Sequence, residues 1–158
     1  MINYFFMAKK ILILDSIRSM QNVGAIFRNA DGAWFDTLYL CWFTPSPPRS
    51  DISKTALGAE KTIFWEYYED ALEITKKLKK QGVRVYWLEL IAWAKDFRKI
   101  SQEQNQDIAI IVGNEVSWVS EALLALSDEY IMIPMMGQKN SLNVSVAAGV
   151  VMYGFLWF

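Results

Sequence analysis

A parallel α/β sheet with helices on both faces is the fold class this chain of 158 residues predicts. Short apolar runs without polar alternation, Ile11–Leu14 and Ala109–Val112 above all, read as strands buried on both faces. Helix-length amphipathic segments separate such runs, which is the pattern of crossover connections between parallel strands. Small and turn-forming residues punctuate the two, among them Gly32, the prolines of Thr44–Ser50, Gly82 and Gly113.

Taken in order, Lys10–Asp15 predicts a buried strand, and Asn22 to about Ala30 a helix with Asn22 as N-cap and Gly32 as its stop. Thr37–Cys41 is a second strand, Thr44–Ser50 a loop, and Thr62–Trp65 a short strand. Asp70–Lys80 is an amphipathic helix: Ala71, Leu72, Thr75 and Leu78 share one face, while Lys76, Lys77, Lys79 and Lys80 crowd the rest. Arg84–Leu88 and Ala109–Val112 are strands, Ser117–Leu126 a helix, and Tyr130–Pro134 the last strand. A final helix begins at about Ser141. The length suits a single domain over residues 1–158, and no repeat, linker or appended RNA-binding domain is evident.

Composition narrows the chemistry. The chain has no histidine, which excludes Ser-His-Asp and Cys-His catalysis, removes the usual general base and leaves no reason to expect a metal. Cys41 is the one cysteine, expected as a small buried hydrophobe rather than part of a disulfide framework. The formal net charge of −1 means that nucleic acid, if bound, is met by local patches. No dinucleotide fingerprint and no phosphate-loop motif occurs. Hydrophobic residues make up 53 % of the chain, so the core is large or a partner covers part of the surface. Val144–Phe158 is apolar but shorter than a membrane span of roughly 20 residues. A cytoplasmic protein without a membrane partner is the expectation.

In open α/β sheets, ligands bind beyond the carboxyl ends of the strands. Three segments rich in small and polar residues fall there. In Asn22–Ala30, Gly24 and Arg28 are four apart on one helix face, so glycine leaves room for a substrate or another backbone near the guanidinium. The alternative is a capped helix with Arg28 paired to Asp31 on its surface. In Ile110–Glu115, Gly113 permits close approach of a ligand, and Glu115 sits where a helix dipole favours a carboxylate. An ordinary strand-to-helix turn explains the same residues. In Ile131–Ser145, Pro134 ends the strand and Ser141 and Asn143 supply polar groups, or simply cap the last helix.

The stretches Asn-Val-Gly-Ala-Ile-Phe-Arg-Asn-Ala from Asn22, Val-Gly-Asn-Glu-Val from Val112 and Ser-Leu-Asn-Val-Ser-Val-Ala-Ala-Gly from Ser141 resemble, in this order, the three motifs of the SpoU (TrmH-like) branch of the SPOUT RNA 2′-O-methyltransferases. Lys54–Glu60 is similar to a segment common in short members. The resemblance runs from about Ile11 to Tyr153. It implies a deep trefoil knot near the C-terminus, which physical reading of a sequence would not suggest because knots are rare. It also implies a homodimer through the knotted region, S-adenosylmethionine as cofactor, and RNA as substrate, with transfer RNA ahead of ribosomal RNA. Carried over by position, Leu88, Gly113, Ile133, Ser141 and Leu142 line the cofactor pocket. Arg28 is the main catalytic residue, and Asn22, Glu115, Ser141 and Asn143 shape the site. A domain of this fold that holds RNA or cofactor without turnover is the alternative.

The family view has Arg28 activate the ribose hydroxyl. An arginine stays protonated, with a pKa above about 12, so holding the phosphate and ribose and stabilising the developing alkoxide suits it better. Glu115 or solvent then takes the proton. Arg28, Arg49, Lys54 and Lys61 are the candidate RNA contacts, whereas Lys76–Lys80 reads first as a solvated helix face. Trp118 stands where the family commonly has glycine, and the chain ends on the apolar Phe155–Leu156–Trp157–Phe158.

Overall fold

The computed structural model describes residues 8–100, 105–113 and 121–155. Seven parallel strands form one sheet: β1 (Lys10–Asp15), β2 (Thr37–Cys41), β3 (Phe64–Tyr68), β4 (Arg84–Leu88), the two-residue β5 (Lys95–Asp96), β6 (Ile108–Gly113) and β7 (Glu129–Met132). Their spatial order is β3-β2-β1-β6-β4-β7-β5. Among the described residues five α-helices accompany the sheet: α1 (Met20–Gly32), α2 (Ser50–Ala56), α3 (Ala71–Lys80), α4 (Glu121–Leu126) and α5 (Val144–Gly154).

The interiors of the central strands are apolar because they are buried on both faces, with charged residues only at ends such as Lys10, Asp15 and Arg84. Leu12 and Leu14 of β1, Tyr86 of β4 and Ile110 and Val112 of β6 face one core with α1, α2 and α5. Ile11, Ile13, Val85, Trp87, Ala109 and Ile111 face the other with α3 and α4. This is the period-2 alternation of a strand between two helical layers. Register brings Asp15 at the end of β1 opposite both Cys41 and Gly113, so three strands end level at one edge.

Several expected boundaries shift. Asn22 is not the N-cap of α1: Ser19 is, its hydroxyl accepting from the Asn22 backbone N–H at 3.2 Å. A capping residue one turn earlier lets the helix start sooner and places Asn22 inside its first turn. Thr62–Trp65 is displaced to Phe64–Tyr68, because a 3₁₀ turn at Ala59–Lys61 takes up the preceding residues. The last helix begins at Val144 rather than about Ser141, since the Asn143 carboxamide oxygen caps it by accepting from Ser145 N–H at 2.9 Å. Asp70 caps α3, and Ile74 joins the predicted buried face. The helix α2 and the edge strand β5 carried no periodicity long enough to announce them. Residues 117–120 of the predicted helix at Ser117–Leu126 lie outside the described residues.

Gly24 is where α1 and α2 touch. A methyl group there would overlap the Thr55 hydroxyl and the Ile52 carbonyl oxygen, and the carbonyl belongs to helical backbone that cannot swing aside. The room left by this glycine is therefore taken by another backbone, not by a substrate. Gly24→Ala is expected to cost about 1–3 kcal/mol, the usual penalty for overpacking. Urea unfolding of the two proteins measures it.

Candidate functional site

A cleft opens at the carboxyl edge of the sheet, where ligands of open α/β sheets bind. Leu88 and Glu89 reach it from the end of β4, Val112 and Gly113 from β6, and Ile133 from beyond β7. Ser141 and Leu142 close it from the loop before α5. All five residues expected at the cofactor thus meet in one place. The strand expected to run to Pro134 ends at Met132, so Ile133 and Pro134 already belong to the following loop. Met135 and Asn140 line the cleft from the segment beyond Pro134.

A second cleft adjoins the first and shares Gly113, Leu142 and Val144 with it. Ile17, Arg18, Ser19, Asn22 and Asn143 form its other walls. The first and third motif segments are therefore neighbours across Gly113. Asn143 serves both readings raised from the sequence. Its oxygen caps α5, accepting from the Ser145 N–H and, at 2.7 Å, from the Ser145 hydroxyl, while its amide nitrogen is not used in these bonds. Ser141 lies in the loop and is exposed, so it does not start the helix.

Gly113 differs in kind from Gly24. Among the described residues, a methyl group built on it meets only the Asp15 carbonyl oxygen, at 3.8 Å, which is ordinary contact, and Gly113 lines both clefts. Nearby, burial lifts the Asp15 carboxyl above its ordinary pKa, opposed by the Ser16 hydroxyl, which donates to it at 3.2 Å, and reinforced by the charge of Asp70. The unfolded chain ionises first, so this group costs stability once the pH passes the ordinary carboxylate value, and fully above its folded pKa. Asp15→Asn should accordingly raise Tm at pH 7, and the gain should vanish as the pH drops below the ordinary carboxylate range. Burial likewise pushes the Cys41 thiol up, as fits the small buried hydrophobe expected there.

Arg28 is exposed on α1 and lines neither cleft. Nor is it paired to Asp31, whose carboxylate accepts instead from the Thr62 hydroxyl at 3.2 Å. Arg49 directly precedes α2, and Lys61 ends the 3₁₀ turn; both are exposed. Lys54 is exposed and pairs with Asp51 at 2.8 Å. These three lie away from the cleft walls, on the side where α2 packs against α1. The lysines of α3 form the solvated face expected of them, with Lys77 beside Glu73 at 3.6 Å and Lys79 bonded to Asp128. Glu115 and Trp118 lie outside the described residues. Among the described residues no group of His, Cys, Asp and Glu could hold a metal ion, and no helix is long and apolar enough to cross a membrane.

Sequence reasoning missed Glu89. Its carboxylate accepts from the Leu90 N–H at 2.8 Å, and the residue lines the first cleft. Its one signal was position, one residue past a predicted strand end, which is where ligands of such sheets bind.

The chain resembles known proteins over nearly all of its length. It is 33 % identical over 142 residues to the tRNA (guanosine(18)-2′-O)-methyltransferase of Thermus thermophilus, covering 90 % of this chain and 71 % of that protein. It is 33 % identical over 146 residues to the 23S rRNA (guanosine(2553)-2′-O)-methyltransferase of Bacillus subtilis, covering 92 % of this chain and 57 % of that one. The crystal structure of the A. aeolicus TrmH/SpoU tRNA modifying enzyme superposes with a TM-score of 0.82 at 26 % identity, over 94 % of this chain and 74 % of that one. The chain thus spans just over half to three quarters of these relatives. The family model described as the SpoU rRNA Methylase family matches residues 9–153. With that match over most of its length, and with Asn22, Gly113 and Ser141 lining adjoining clefts at one edge of a parallel sheet, the chain belongs to the SpoU rRNA methylase family.

Proposed function

We propose that the chain is an S-adenosylmethionine-dependent RNA methyltransferase acting on a ribose 2′-hydroxyl in transfer RNA, with ribosomal RNA the alternative target. The observation that carries this is the convergence of Leu88, Gly113, Ile133, Ser141 and Leu142 on one cleft beside Asn22 and Asn143. The cleft suits the cofactor chemically. Leu88, Val112, Ile133 and Leu142 offer apolar walls, Gly113 leaves backbone open to close approach, and the Glu89 carboxylate complements a cationic donor.

When bound, S-adenosylmethionine supplies an electrophilic methyl on a sulfonium. The ribose oxygen forms the new bond as the sulfur–methyl bond breaks, and the hydroxyl proton must leave. The Arg28 guanidinium holds the phosphate and ribose in line and stabilises the developing alkoxide. Glu115 or solvent accepts the proton. Asn22 and Asn143 position the ribose from the second cleft, and Ser141 shapes the wall between nucleoside and donor. Arg49, Lys54 and Lys61 contact RNA phosphates.

The location of Arg28 supports a homodimer as part of this reading. Since it lines neither cleft of its own chain, it meets the donor across an interface with a second copy. The groove between α1 and α5, with Ala25, Gly149 and the exposed Val146, Val150 and Tyr153, is the apolar surface for that contact. A trefoil knot belongs to the same reading. It is supported by β6 lying between β1 and β4, by β7 returning beyond β4, and by the loop before α5 entering the cleft beside Leu88.

Incubating the protein with methyl-labelled S-adenosylmethionine and total RNA from cells lacking it tests the activity. Label should enter RNA and survive alkaline hydrolysis within dinucleotides, because a methylated 2′-oxygen cannot attack the neighbouring phosphate. No transfer to any RNA would instead indicate a binding module of this fold.

A further inference from the structure

At the carboxyl end of β2, next to the second cleft, two large aromatic side chains stand out in solvent. Trp42 is 56 % exposed and Phe43 57 %, although a fold of this size has ample core in which to hide them. They form one surface: their ring centroids are 5.3 Å apart with planes inclined at 36°. The Arg18 guanidinium lies over the Phe43 ring, 5.1 Å from its centroid, and Arg18 is also a wall of the cleft that contains Asn22 and Asn143. The rings and the cleft are therefore continuous through one cationic side chain.

The tip is held firmly. Trp42 donates its N–H to Tyr68 O at 3.1 Å, and its carbonyl accepts from the Tyr67 hydroxyl at 2.9 Å. The buried Thr44 hydroxyl donates to Leu14 O and accepts from Ile17 N–H, each at 3.0 Å, tying the tip to the end of β1. Trp42 itself is held at φ 52°, the left-handed region that residues with a Cβ avoid. Exposed rings on an anchored backbone lose little freedom on binding, which suits them to recognition.

We propose that Trp42, Phe43 and Arg18 form a stacking platform for an unpaired nucleobase of the substrate RNA next to the methylated ribose. Aromatic faces and guanidinium planes stack bases in single-stranded loops, and the arginine adds attraction for phosphate. The platform rests on the methyl-transfer reading for its substrate and adds a requirement of its own: the target lies in a loop, with a neighbouring base splayed out.

The test measures fluorescence anisotropy with a labelled oligoadenylate of about twelve nucleotides, within the usual span of single-strand sites. A blunt duplex of the same length is the comparison. The wild-type protein should favour the single strand. The Trp42→Ala/Phe43→Ala variant should lose about tenfold in strand affinity, the scale of one lost base stack, and keep its duplex affinity. Trp42→Tyr/Phe43→Tyr, which retains ring faces, should restore most of the loss. Unchanged affinity for S-adenosylmethionine in each variant verifies the fold. Equal strand binding by wild type and the alanine variant, or no strand binding by either, overturns the platform and assigns the rings to a protein partner. A wild-type protein that binds the strand through these rings yet labels no RNA refutes methyl transfer alone.

Discussion

Arg28→Ala should lower methyl transfer by about 10²–10³-fold, the usual cost of removing a group that stabilises charge developing in a transition state. Affinity for S-adenosylmethionine should stay as it is. The split follows from geometry, because Arg28 is exposed on α1 and lines neither cleft, so its removal leaves every wall of the cofactor site in place. Single-turnover transfer and equilibrium binding of the donor measure the two halves separately. Arg28→Lys retains charge but not the planar fork, and should recover only part of the rate. If alanine removes cofactor affinity together with activity, Arg28 holds the fold and does not act on substrate. Mixing Arg28→Ala with a cleft-blocked chain adds a further check. Activity that reappears in the mixture places the guanidinium opposite the partner's donor.

The second large effect is expected at Gly113. Gly113→Val should weaken S-adenosylmethionine binding by at least about tenfold while Tm stays near that of the wild type. Among the described residues an added Cβ meets only the Asp15 carbonyl oxygen, at 3.8 Å, while Gly113 lines both clefts. Each group of about methylene size forced into a fitted site costs of order 1–3 kcal/mol, which is about 10–200-fold in binding. Calorimetric titration against donor and a thermal melt decide it. Unaltered affinity would move the donor to another part of the cleft. Gly24→Ala is the mirror image, because there stability should fall from a backbone collision before any site is touched.

Much of the layered architecture was legible because its causes are local. Strand interiors buried on both faces are apolar, so runs such as Ile11–Leu14 mark them, and Lys10–Asp15, Thr37–Cys41 and Arg84–Leu88 match their observed bounds. Asp70 and the charge pattern of α3 announced that helix in the same way. What escaped lacked a period of its own. The strand β5 has two residues and exists through pairing with Ile131 and Met132, and α2 through its fit against Gly24. The N-cap of α1 moved because Ser19 and Asn22 have comparable capping chemistry, and the path of the chain between β1 and α1 selected between them.

The site divides along the same line. Residue types and spacing marked Asn22, Arg28, Gly113, Ser141 and Asn143 as candidates but left helix capping and ordinary turns open for them, and the resemblance to the SpoU motifs gave them their expected roles. Which of them share a cleft was beyond any linear pattern, because β1, β4, β6 and β7 are brought side by side in an order unlike their order in the chain. Folding alone set Asn22 against Asn143 across Gly113, left Arg28 outside, and added Glu89, Arg18 and the Trp42–Phe43 surface to the neighbourhood. Local propensity acts over a few residues of chain, whereas a binding cleft is a property of distances between segments far apart in sequence, settled only when the whole core packs.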